Sequence, residues 1–132
     1  KAINLLNKKK YLVIIITNQS GIGRGLIKIK ELKKLHTYLK KKIRKDDGKI
    51  DDIFYCPFHP KFGRGKYKKK SSDRKPGDGM IRKAIKKWKI DTKNSFMIGD
   101  KVSDKLAAKK ANIKFFYKKN KNLNTQIRNI LK

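Results

Sequence analysis

The chain has 132 residues, 37% of them apolar, with one Cys and two His, which is the size of one ordinary domain. Its longest apolar run, Leu12 to Ile16, falls far short of the roughly 18 residues a membrane-spanning helix needs, and a lone cysteine supports neither a disulfide scaffold nor a zinc finger. Packing must therefore hold the fold, as in the reducing cytoplasm where the protein is expected, and 39 Lys and Arg against 10 Asp and Glu surround it with a field of +29 that steers anions inward.

In chain order, Ala2 to Lys9 reads as the end of an amphipathic helix, and Tyr11-Leu-Val-Ile-Ile-Ile-Thr17 as a β-branched strand covered on both faces. A polar stretch, Thr17-Asn-Gln-Ser-Gly-Ile-Gly-Arg-Gly25, follows that strand. Leu32, Leu35, Leu39 and Ile43 recur at helical spacing, Ile53 to Cys56 is a short strand, and Pro57, Pro60, Gly63 and Gly65 mark a loop. A helix is predicted over Gly79 to Lys89, then Ser95-Phe-Met-Ile-Gly-Asp100 as a strand opening into a loop, and a helix over Ser103 to Ala111 with Ser103 or Asp104 near its start. Lys114 to Tyr117 is the last strand and Leu123 to Leu131 a closing helix. Strands alternating with helices, without repeats, predict an α/β fold.

In an open parallel sheet, ligands bind outside the carboxyl ends of the strands, where three polar motifs of this chain fall. The first is Thr17 to Gly25, whose hydroxyl, amides and glycine-exposed N–H groups suit phosphate oxygens; the plain alternative is a turn with polar caps. The second is Asp73-Arg-Lys-Pro76, where Pro76 restrains Lys75 and could fix a cation; in so basic a chain, an Arg-Lys pair can also be mere surface. The third is Gly99-Asp-Lys-Val-Ser-Asp104, two carboxylates four apart after a strand. It suits a hard cation such as Mg²⁺, or simply caps a helix.

Together, Thr17 to Gly25, Tyr55-Cys-Pro-Phe-His-Pro60, Asp73-Arg-Lys-Pro-Gly-Asp-Gly-Met80 and Met97-Ile-Gly-Asp-Lys-Val-Ser-Asp104 resemble the phosphatases of the haloacid dehalogenase superfamily, subfamily IIIA. Within it they are most similar to the branch acting on D-glycero-D-manno-heptose 1,7-bisphosphate. The resemblance implies a Rossmann-like three-layer sandwich with a mostly parallel sheet, one domain over residues 1–132, and a cytoplasmic monomer making activated heptose for a bacterial surface glycan. It implies a small sugar phosphate as partner, Mg²⁺ as cofactor and an aspartyl-phosphate as intermediate. Thr17 and Lys75 would be catalytic, the hydroxyl and the ammonium holding the transferring phosphoryl group. Asn18, Gln19, Ser20, Arg24, Arg74 and Lys101 would bind substrate, Asp100 would ligate the metal, and Asp104 would orient the site from behind it.

Two departures from the family pattern shape the expectation. No Asp precedes Asp46, so the family's nucleophile and acid–base aspartates, which belong on a strand before Ala2, are missing. The chain is expected to be N-terminally truncated, lacking its central first strand, and to be inactive and poorly folded alone. The family's zinc loop is also reduced to Cys56 and His59, with Ser71 and Ser72 in the thiol region; two ligands cannot close a tetrahedral site, and zinc is not expected. Cys56 reads as a buried strand residue, His36 as surface, His59 as a loop-shaping residue and Trp88 as a packing residue.

Three alternatives stay open: a polynucleotide 3′-phosphatase or a histidinol-phosphate phosphatase of the same superfamily, or a basic nucleic-acid-binding remnant. Nucleic acid is not the expected partner, because 33 of the 39 basic residues are Lys without aromatic interleaving. Ile outnumbers Val seventeen to two, a bias that points to A/T-rich coding rather than to selection for charge. No membrane partner is expected.

Overall fold

A computed structural model of the chain describes residues 1–119 and 122–132. Its elements alternate as α1 (Ala2–Lys8), β1 (Ile14–Asn18), α2 (Ser20–Gly23), α3 (Ile29–Lys45), β2 (Asp52–Cys56), α4 (Gly79–Trp88), β3 (Phe96–Gly99), α5 (Val102–Lys110), β4 (Lys114–Tyr117) and α6 (Leu123–Ile130). The fold is α/β. The strands pair as β1 with β2 and β3 with β4, the second pair parallel in the register Phe96↔Lys114 to Gly99↔Tyr117 with α5 as its crossover. Among the described residues no helix is long and apolar enough to cross a membrane.

The chain divides into two compact units. One comprises Lys1–Ile15, Ile29–Ile53 and Lys118–Lys132. Its core holds Leu32, Ile50 and Ile127, and α1 packs on α6. Asn4 donates to the carbonyl of Asp46, and the Asn7 amide is joined to both the N–H and the carbonyl of Lys49, tying α1 to the turn after α3.

The other unit comprises Ile16–Lys28 and Phe54–Tyr117. Its core is built on Ile81, Ala107 and Ala111, with Ile16, Ile85, Met97 and Ile113 against them. The alanines let α5 lie close to the strand pair, and Ile81, Ala84 and Ile85 recur on one face of α4, as an amphipathic helix requires. Arg82 ties the two helices, donating through its guanidinium to the carbonyl of Lys110 in the last turn of α5.

Two boundaries differ from the sequence reading. The first strand starts at Ile14 rather than Tyr11, because Lys10 adopts a left-handed φ of 67° and Tyr11 N–H turns back to the carbonyl of Leu6, closing α1. Within Thr17 to Gly25, Ser20–Gly23 forms one helical turn, with Arg24 N–H donating to Ser20 and Gly25 N–H to Ile22. No hydrophobic period reveals a four-residue turn. Cys56 is fully buried on β2, while His36 and Trp88 are half-buried.

Candidate active site

The second unit brings the three polar motifs together, and their meeting point is Lys75. At its root, the main-chain N–H of Lys75 donates to Oδ1 of Asn18 at 3.0 Å, and its carbonyl accepts from Nδ2 of Asn18 at 3.2 Å. At its head, Nζ donates to the main-chain carbonyl of Ile16 at 3.2 Å and to Oδ1 of Asp104 at 2.5 Å. Asn18 and Ile16 lie on β1, and Asp104 opens α5, so one lysine connects all three motifs.

Asp104 is 4% exposed and bonds through both oxygens. Its Oδ2 accepts from the N–H groups of Asp100 at 3.2 Å and Lys101 at 3.1 Å. Burial alone would raise its carboxyl, but the Lys75 hydrogen bond and those of Lys101 and Asp100 outweigh it and hold the group below the ordinary carboxylate range. The Asp104 carboxylate therefore stands ionised at neutral pH and pairs with Lys75 largely removed from water. An Nζ ammonium has three hydrogens, and two have protein acceptors here; the third can meet an added anion.

The other predicted residues fall around this pair. The Thr17 hydroxyl donates to the carbonyl of Asn18 at 3.3 Å and accepts from Nε2 of Gln19 at 3.3 Å, so Gln19 orients it. Ser20 opens α2, and Lys101 is the N-cap of α5, exposed like Asp100. The Asp100 carboxylate has no recorded hydrogen bond or ion pair among the described residues. Arg74 is half-buried, and its Nη1 is buried without a hydrogen-bond partner among the described residues, an arrangement that favours an anionic ligand. Arg24 is exposed, with its guanidinium 5.2 Å over the Phe62 ring.

His59 shapes its loop: Nδ1 accepts from the N–H groups of Lys61 and Phe62, and the ring lies 4.8 Å from that of Phe62. Partial burial, then Arg74, Arg24 and Lys61, lower its pKa, so the imidazole is neutral at pH 7. Burial pushes the Cys56 thiol up, leaving it protonated.

A hard cation held by one or two carboxylates, with phosphate and water completing its shell, suits the free carboxylate of Asp100. The described residues contribute no cluster of three His, Cys, Asp or Glu to such a site. The arrangement is suited to receiving a phosphoryl group: a lysine in the loop before α4, a hydroxyl on β1 and an unengaged carboxylate directly after β3.

Two participants carry little sequence signal. The Ile16 carbonyl accepts from Lys75 across 59 positions of sequence. Gly99 lies where a Cβ would collide with Asp104, and a glycine directly before the acid at a strand end is the available hint.

Residues 65–118 match the family model of haloacid dehalogenase-like hydrolases. The chain is 42% identical over 115 residues to the D-glycero-beta-D-manno-heptose-1,7-bisphosphate 7-phosphatase of Haemophilus ducreyi, covering 86% of the chain and 63% of that protein. It is 37% identical over 130 residues to the protein of the same name from Rhodopseudomonas palustris, covering 98% and 72%. Among solved structures it is similar to a HAD-like phosphatase from Mesorhizobium loti, with a TM-score of 0.81 and 30% identity over 85% of the chain and 54% of that protein. It also shares the fold of D,D-heptose 1.7-bisphosphate phosphatase from B. bronchiseptica, solved with magnesium and phosphate, at a TM-score of 0.78 and 24% identity over 98% and 79%. The chain thus spans 63% and 72% of the two curated relatives' lengths.

Proposed function

The chain belongs to the haloacid dehalogenase-like hydrolase family, and from that premise we propose that it is part of a cytoplasmic, monomeric, Mg²⁺-dependent phosphatase. Its substrate would be D-glycero-D-manno-heptose 1,7-bisphosphate, hydrolysed to the 1-phosphate. The relatives' names support the substrate, and the observation that carries the chemistry is the Lys75–Asp104 pair, reached by all three polar motifs.

In this reading Lys75 stabilises the equatorial oxygens of the transferring phosphoryl group as charge develops, and Asp104 keeps its ammonium aimed. The Thr17 hydroxyl, held by Gln19, would turn its one hydrogen from the Asn18 carbonyl to the same group. Asp100 would hold Mg²⁺, which when bound offsets negative charge on the phosphate oxygens. Arg74, with its unpartnered Nη1, would bind the distal phosphate, joined by Arg24; Ser20 and Lys101 would contact the sugar phosphate. The attacking aspartate would come from sequence outside these 132 residues, since no Asp precedes Asp46 and the relatives are longer.

The test is to express the full reading frame and assay phosphate release from heptose bisphosphate with and without Mg²⁺, beside Asp100→Asn. Metal-dependent release, lost in the variant, is expected. A full-length protein that is inert towards heptose bisphosphate would sink the assignment.

A further inference from the structure

We propose that Asn18 is a positioning residue for Lys75 rather than a contact to the sugar phosphate, an inference that rests on the phosphatase reading above. The amide of Asn18 engages the Lys75 main chain in both directions, at 3.0 and 3.2 Å, as a neighbouring strand would. Its acceptor oxygen and one donor hydrogen are thereby committed within the protein. The sequence reading assigned this amide to substrate; the geometry assigns it to the root of the catalytic lysine.

The loop around Lys75 has little else to fix it to β1. Its other main-chain bonds are internal: Arg74 N–H to Ser71, Gly77 N–H to Arg74 and Gly79 N–H to Ser72, with Asp73 N–H on the Ser71 hydroxyl. Asp73 also pairs with Lys83, which joins the loop to α4 but not to β1. Among the described residues, the recorded hydrogen bonds between this loop and β1 are the two at Asn18 and the one from Nζ to Ile16. Without Asn18, Nζ would have to anchor the loop it is meant to project from. The cation would then lose its fixed distance to the phosphoryl group, and placement errors of about 1 Å cost rate heavily.

A positioning role and a substrate contact differ in what they do to kinetics. A lost contact raises KM, whereas a misplaced cation lowers kcat and becomes irrelevant once the cation is gone. In the full-length enzyme, Asn18→Ala is expected to lower kcat about 10- to 100-fold with KM within about two-fold. The loss should be equal on heptose bisphosphate and on p-nitrophenyl phosphate. In a Lys75→Met background, the same substitution should change kcat by less than about two-fold. Asn18→Asp, which keeps the acceptor for Lys75 N–H but sets an oxygen against the Lys75 carbonyl, should show the same kcat loss at conserved volume, covering the case where Asn18→Ala folds poorly. A rise in KM confined to the sugar substrate, or a full additive loss in the Lys75→Met background, overturns the inference. If the wild-type enzyme turns over p-nitrophenyl phosphate but not heptose bisphosphate, the substrate assignment fails while the Asn18 comparison is still made on the first compound.

Discussion

A Cβ placed on Gly99 would stand 2.6 Å from both Cβ and Oδ2 of Asp104, a separation that real side chains essentially never show. The last residue of β3 thus passes the buried carboxylate with only hydrogen between them. Asp104 cannot swing aside without cost, because Oδ2 holds the N–H groups of Asp100 and Lys101 and Oδ1 holds Lys75. Gly99→Ala must move the loop or the carboxylate. Overpacking of this kind costs about 1–3 kcal/mol, and the displaced Asp104 should carry Lys75 with it. A lower urea midpoint and a lower kcat are expected together in the full-length protein; wild-type values for both would show that the contact relaxes freely.

The charge state of Asp104 makes stability depend on pH with a definite sign. Burial opposes its ionisation, yet the bonds from Lys75, Lys101 and Asp100 prevail, and its native pKa lies below the ordinary value. A depressed native pKa means that the carboxylate stabilises the fold fully above the unfolded value, about 3.9. That contribution is lost as pH falls through the native value. Urea midpoints taken from about pH 7 down to about pH 3 should fall more steeply for wild type than for Asp104→Asn, which has no proton to take up. Parallel curves would mean that Asp104 has no part in the acid limb.

How much of this was legible beforehand depends on the range of the interaction. β3, β4, α4 and the body of α3 are legible because Phe96 to Gly99 and Lys114 to Tyr117 are short apolar runs bounded by polar residues, and the apolar positions of the two helices recur at helical spacing. The start of β1 is not legible, because Leu12 and Val13 continue its apolar run while the deciding event, Tyr11 N–H closing α1, is a backbone bond. The motifs that meet at Lys75 were found from their place at strand ends. That the Asn18 amide and the Ile16 carbonyl bond to Lys75 is not legible in this way, since they lie 57 and 59 positions from it. No local pattern encodes whether an amide faces ligand or protein.

Stability and chemistry should separate at Leu32. Its side chain is 1% exposed in the core of the unit that includes Ile29–Ile53, whereas Lys75, Asp104, Thr17 and Asp100 all belong to the other unit. Leu32→Ala leaves a cavity that costs about 2–5 kcal/mol. A marked drop in the thermal midpoint is expected, with kcat per folded molecule unchanged at a temperature where the variant is still native. A proportionate fall in kcat of the folded fraction would mean that the first unit's core also sets the geometry of the site.

Asp100 supplies the sharpest separation of metal binding from folding. Its side chain is exposed and has no recorded partner among the described residues, while its N–H donates to Asp104 through the main chain. Asn keeps the size and the main-chain bond and removes only the charge, so Asp100→Asn should leave stability within about 0.5 kcal/mol of wild type, as surface substitutions do. A hard cation relies on that charge, because its few protein ligands are carboxylates. Chelation by EDTA should therefore abolish phosphate release by the full-length wild type, and added Mg²⁺ should restore it. The variant should need at least about ten-fold more Mg²⁺ for half-maximal release and should reach a lower ceiling; even a group acting behind the metal costs about 10- to 100-fold in affinity or activity when lost. An Asp100→Asn enzyme with the wild-type Mg²⁺ requirement would remove Asp100 as a ligand and return that role to carboxylates elsewhere in the full-length protein.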